Sequence, residues 1–140
     1  SIFMATMKLK TTKGELVDLL NGLFNAQDIK GKEFALAVSK NISTLNDYLS
    51  DIEEMGRPSE EFMKFAQEIR KIHDAGDKEK VDKMEKENAA LMNERNAQIE
   101  SVKKELKKAA KVVELEIITR NMFPQDINAR QISSLEKIIK

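Results

Sequence analysis

His73 is the only histidine in the chain, and the one side chain whose ordinary pKa suits proton transfer near neutral pH. As a general base it would need a nucleophile, and no Ser or Cys motif accompanies it. It also falls in the last turn before Ala75-Gly76, where the helix dipole favours a cation in any case, so a structural role is expected. Asp47, Asp51 and Glu54 recur at helical spacing on one face and offer the oxygen ligands that a divalent cation takes, or a row of charge imitating a phosphate backbone. Hard metal sites usually draw oxygens from loops or from several elements, so a solvated face partly paired with lysines is the better expectation. Lys103, Lys104, Lys107, Lys108 and Lys111 form the opposite cluster, suited to phosphates. Glu100 and Glu105 interleave with it and no aromatic platform lies nearby, so nucleic-acid binding through the Lys103–Lys111 face ranks behind a solvated or internally paired surface. There is no Gly-rich phosphate loop, no HExxH and no GxSxG. Enzymatic activity is therefore not expected, and neither is a cofactor or a metal.

Bulk composition narrows the field further. Lys plus Arg and Asp plus Glu each number 24, which gives no basic excess of the kind a general nucleic-acid binder carries. With no Cys in the chain, disulfide scaffolds and thiolate sites are excluded. No apolar run approaches the ~18 residues of a membrane span, and the N-terminus lacks a signal-peptide pattern, so a soluble, cytoplasmic protein without membrane contact is expected. A chain of 140 residues is normally one domain with a modest core. Ser1 to Thr6 are expected to include residues ahead of a natural start at Met4 or Met7 and no part of the fold.

The stretch from Asp77 to about Lys111 organises the rest. It contains no Gly or Pro and consists largely of good helix formers, so it reads as one uninterrupted rod of about 50 Å. Its apolar positions Val81, Met84, Leu91, Ile99, Val102, Leu106 and Ala109 make a narrow stripe for a single partner helix. Lys32 to Met55 shows coiled-coil spacing through Phe34, Val38, Ile42, Leu45, Leu49, Ile52 and Met55. Gly56-Arg57-Pro58 breaks it, and Ser59 caps a further helix carrying Phe62, Phe65, Ile69 and Ile72. Ala75-Gly76-Asp77 reads as a tight reversal, with Gly76 left-handed and Asp77 as the next cap. Residues whose numbers sum to roughly 152 then face one another, which places Asp47, Asp51, Glu53 and Glu54 beside the lysine cluster.

At the two ends the period changes. Met7, Leu9 and Thr11 alternate with Lys8 and Lys10, and Val113, Leu115 and Ile117 alternate with Glu114 and Glu116: two short strands, expected to pair antiparallel with lysines opposite glutamates. Thr12 with Glu15 and Asn128 with Gln131 show capping spacing, before a helix through Leu16 to Phe24 that ends near Asn25 and a short one through Ile132 to Ile139. The two-stranded sheet is too small to stand alone and is expected to rest on the first helix and the C-terminal segment. The fold class is mainly α (α+β): a single domain over 1–140, with a base from 7–30 and 112–140 and a long antiparallel helical hairpin over 32–111, tipped near Gly76.

Lys30-Gly31-Lys32-Glu33-Phe34-Ala35-Leu36-Ala37-Val38-Ser39-Lys40-Asn41-Ile42 resembles the opening of a family of small, functionally uncharacterised proteins encoded by tailed bacteriophages. The ending is similar as well, with a strand Val113 to Ile118, then Phe123-Pro124-Gln125-Asp126-Ile127 and the helix Gln131 to Ile139. The resemblance implies a phage origin, hence a host-cell cytoplasmic location, and nothing about mechanism. Asn88, Arg95 and Gln98 interrupt the apolar stripe, where such residues specify register or partner, or mark a partly open surface. Met63 is another apolar residue near the hairpin's outer half. Phe62, Phe65, Met84, Asn88, Leu91, Met92 and Arg95 are the candidate partner contacts, with packing inside the hairpin as the competing use of the apolar ones. The function expected is a non-catalytic protein-interaction module whose partner is a host or phage protein or a second copy of the chain. Inhibition of a host protein or defence system comes first, and virion structure or assembly is the alternative.

Overall fold

The computed structural model describes residues 5–140. Ser1–Met4 lie outside the described residues, but Ala5 and Thr6, expected to stand ahead of the fold, contribute to the sheet. Contacts divide the chain into two compact units, Ser1–Asp51 with Glu105–Lys140 and Ile52–Lys104.

The first unit holds strand β1 (Thr6–Leu9), helix α1 (Lys13–Ala26), helix α2 (Lys32–Tyr48), strand β2 (Val113–Glu116) and helix α7 (Ala129–Ser134), the last followed by a 3-10 turn at Glu136–Ile138. Each helix start is chemically marked. Thr12 Oγ1 accepts from the Glu15 N–H at 3.1 Å, and Asn128 and Gln131 cap each other reciprocally at 2.9 and 3.0 Å. Gly31 opens α2 at φ 142°, a backbone that side-chain-bearing residues rarely adopt. α2, expected in the hairpin, packs against α1 and β2. It also stops short of Met55: Leu49 leaves helical geometry at φ −99°, ψ 8°, beside a Ser50 hydroxyl that donates to the Asp47 carbonyl at 3.0 Å.

β1 and β2 pair antiparallel in the register Thr6 with Glu116, Met7 with Leu115, Lys8 with Glu114 and Leu9 with Val113. One lysine–glutamate pairing is therefore as expected. The other is not, because Lys10 lies past the strand end and Glu116 faces Thr6. The buried alternation also shifts phase after Glu116. Ile118 is buried and Ile117 only half so, because Ile118 forms a parallel bridge to Ile139. The sheet's main helical neighbour is α2, a correction to the expected α1, while the C-terminal segment does border β2. Leu16, Leu19, Leu23, Phe34, Leu45, Leu115, Leu135 and Ile138 make the core. Gly22 lets α7 approach α1: a Cβ there would lie 2.8 Å from Ser134 Oγ and 3.0 Å from its carbonyl.

One buried polar residue stands inside this core. Asn41, 1% exposed, donates through Nδ2 to the Glu116 carbonyl at 3.0 Å and accepts from the Glu116 N–H at 2.7 Å. Its carboxamide acts as a one-residue strand against the outer edge of β2, satisfying two backbone groups that β1 does not reach.

After α6 (Ala89–Leu106) the chain runs back beside residues 11–13, through bonds from the Lys13 N–H to the Lys108 carbonyl at 3.0 Å and from the Ala110 N–H to the Thr11 carbonyl at 2.8 Å. Glu105, 22% exposed, there accepts from the Lys13 ammonium and pairs with Lys108 at 2.9 Å. The hydrogen bond from Lys13, then that from Lys108, holds its carboxyl well below the ordinary 4.5, at about 2, against the opposing pull of partial burial. A carboxylate so depressed stabilises the fold fully above pH ~4.5 and loses its contribution as pH falls from there toward ~2. Glu105→Gln is therefore expected to lower the urea midpoint at pH 7, with the gap to wild type closing between pH ~4.5 and ~2. An equal gap at both ends of that range would refute the assignment.

The second unit is built from α3 (Ser50–Gly56), α4 (Glu60–Asp74), α5 (Lys78–Glu87) and α6, with the unit boundaries falling inside α3 and α6. Ser59 Oγ and Asp77 Oδ1 cap α4 and α5, each at 3.1 Å. Gly76 takes φ 80°, with its N–H on the His73 carbonyl and the Asp77 N–H on the Ile72 carbonyl, the bond pair of a left-handed helix terminus. The reversal at Gly76 is as expected, but the rod after it is interrupted and ends at Leu106. Asn88 separates α5 from α6 at φ −114°, ψ 26°, and its side-chain amide donates to the Met84 carbonyl at 2.9 Å, in competition with the regular helical ladder.

Candidate functional site

The second unit is where apolar surface and unusual polar contacts meet. Pro58 ends α3 and leaves its last carbonyls without helical donors. Two long polar side chains on α6 take them over. Arg95 Nη1 donates to the Gly56 carbonyl at 2.8 Å, and Gln98 Nε2 donates to the Met55 and Arg57 carbonyls at 2.9 and 2.7 Å. Arg95 also donates to Gln98 Oε1 at 2.8 Å, and its guanidinium lies 5.7 Å from the centre of the Phe62 ring. These pairings match the hairpin register expected from the sequence.

The polar residues read as register or partner determinants are thus engaged within the unit. Asn88 serves the Met84 carbonyl, and Arg95 serves the end of α3. Phe65, offered as a partner contact, is 9% exposed and packs 6.3 Å from Phe62, ring centre to ring centre. It belongs to the interior, because the hairpin register turns it toward the returning helices. Phe62, Met84, Leu91 and Met92 remain half-buried.

Burial in this unit is sparse. Among the described residues of Ile52–Lys104 only Phe65 and Val81 are buried, and α6 has no buried residue. Met63 is 43% exposed. A shallow groove of about 340 Å³ runs along α4 past Phe62, Ala66, Ile69 and Arg70 to Glu85 and Met92. Glu85 and Met92 also border a second hollow of about 380 Å³ on α5 and α6, lined further by Asp82, Lys86, Ala89, Asn93 and Asn96. No family model, curated protein or solved structure matches the chain. The reading of this face rests on its own chemistry.

Residues weighed for catalysis or ion binding lie apart from that face or at its edge. His73 is exposed at the tip end of the groove, with Nδ1 3.8 Å from the Asp74 carboxylate. Glu54 and Glu53 pair with Arg57 at 2.7 and 3.8 Å, Lys103 with Glu100 at 3.2 Å and Lys108 with Glu105. Glu53, Glu54, Lys103 and Lys108 thus pair with residues close in sequence rather than across the two stretches. Among the described residues no three His, Asp or Glu side chains converge to hold a metal ion, and no helix is long and apolar enough to cross a membrane. Gln98 was legible in the sequence as a polar interruption of the stripe, but its role as a cap for a remote helix end was not. Asn41 carried a clearer signal: it too falls in phase with Phe34, Val38 and Leu45.

Proposed function

We propose that the chain is a non-catalytic protein-interaction module whose docking surface is the face of α4, α5 and α6 around Ala66, Ile69 and Met92. The supporting observation is the mismatch between apolar content and burial. A unit of this length with only two buried side chains leaves Phe62, Met63, Ile69, Leu91 and Met92 partly uncovered, and such surface is stabilised by covering it. The resemblance of both chain ends to tailed-phage proteins makes a host protein inhibited by docking, a virion component and a second copy of the chain the partners to test.

A photo-crosslinking amino acid at Ala66 tests this in bacterial extract. A discrete crosslinked product is expected from Ala66, lost in a Met92→Asp background, and none from Glu68, which points about 200° away around α4. Equal labelling from both positions, or none from Ala66, would remove the proposal.

A further inference from the structure

We infer that the occupant of this face is a second copy of the chain, related by a two-fold axis parallel to the hairpin so that α4 of each copy lies over α5 of the other. The inference rests on the docking reading above and adds the partner's identity. Charge placement carries it. The register about Gly76 sets Arg70 on α4 level with Asp82 and Glu85 on α5, and among the described residues none of the three has an ion-pair partner. Each copy thus presents Arg70 on one helix and Asp82 and Glu85, with Lys86 beside them, on the other, next to apolar Ala66 and Ile69.

With the helices of the two copies aligned, a two-fold axis that sets them face to face runs either across or along the hairpin. An axis across the hairpin lays α4 antiparallel to α4 and so sets the two Arg70-bearing helices against each other. An axis along the hairpin puts Arg70 over the partner's Asp82 and Glu85 twice, once on each side, and brings Ala66 toward the partner's Lys86–Ala89 stretch, where a small side chain permits close helix approach. A face about 20 Å long and two helices wide supplies roughly 500 Å² on each copy, at the low end for specific association, so the dimer dissociates on dilution.

Sedimentation of the full chain between about 5 µM and about 1 mM is the test. The mean mass is expected to rise from 15.9 kDa toward twice that value. Arg70→Glu and Glu85→Arg, checked for intact helicity at the low concentration, are each expected to weaken association at least about 10-fold. An equimolar mixture of the two variants is expected to recover association to within about 3-fold of wild type, because each mismatched pair then becomes complementary across the interface. A monomeric mass throughout overturns the inference, as do variants that associate like wild type or a mixture that fails to recover. The crosslinker at Ala66 separates the two readings. A product of two chains supports this dimer, a product with a different protein leaves the docking face and removes the dimer, and no product removes both.

Discussion

Asn41→Ala is expected to lower the stability of the first unit by about 2–4 kcal/mol, measured as a fall in urea midpoint at constant slope. The truncation strips partners from both the N–H and the carbonyl of Glu116 in a place where Asn41 itself is 1% exposed. Each orphaned buried group costs about 1–3 kcal/mol, far more than the net gain of an ordinary exposed hydrogen bond. Asn41→Asp is expected to do as much damage at neutral pH. It keeps an acceptor for the Glu116 N–H but loses the donor for the carbonyl, and it adds a second carboxylate near that of Glu116, whose Oε2 already lacks a partner. Part of the loss should return in acid, when a protonated Asp regains a donor. Ile42→Ala is the comparison: Ile42 is only half-buried although it sits in the apolar stripe, and its removal should matter less than that of Asn41. Faster amide exchange at Glu116 in Asn41→Ala would locate the damage, and a stability change under about 1 kcal/mol would show that the carboxamide is not holding the strand edge.

Arg95→Ala is expected to cost about 2–3 kcal/mol in local stability of the second unit, read from amide exchange at residues 52–57 and along α4. The charged hydrogen bond to the Gly56 carbonyl accounts for about 1.5–3 kcal/mol and the stacking over Phe62 for about 0.5–1, two contributions that overlap because one guanidinium makes both. The effect is large for this unit. Burying a whole Phe or Val side chain is worth about 1.5–3 kcal/mol, and the unit has just Phe65 and Val81 buried. Arg95→Lys is expected to lose about half as much, since the ammonium keeps the charge but not the planar guanidinium that lies over Phe62. Unchanged exchange at residues 52–57 in Arg95→Ala would mean that the α3 carbonyls are equally well served by water.

Much of the layout was legible from residue order. Thr12, Ser59, Asp77 and Asn128 all cap where their spacing says, and Gly76 turns the chain with the left-handed backbone that its type allows. The two-stranded sheet and the hairpin register also follow from alternation and helical period. The misreadings share a cause. Leu49 and Asn88 break helices whose apolar spacing continues straight across them, because the breaks are made by backbone geometry and small polar side chains that the apolar pattern does not report. The apolar spacing points to Ile42 where Asn41 is the buried residue, since apolarity alone cannot distinguish neighbouring helix positions when a polar one has a partner elsewhere.

The sequence by itself determined the mainly α class, the caps and turns, the reversal at Gly76 and the absence of cysteine chemistry, because each depends on groups within a few residues of one another. Tertiary structure alone decided what Asn41, Arg95 and Gln98 are for. Their partners lie 75, 39 and up to 43 residues away, so a polar residue inside an apolar stripe gains its meaning only when a distant strand edge or broken helix end is brought within hydrogen-bond reach.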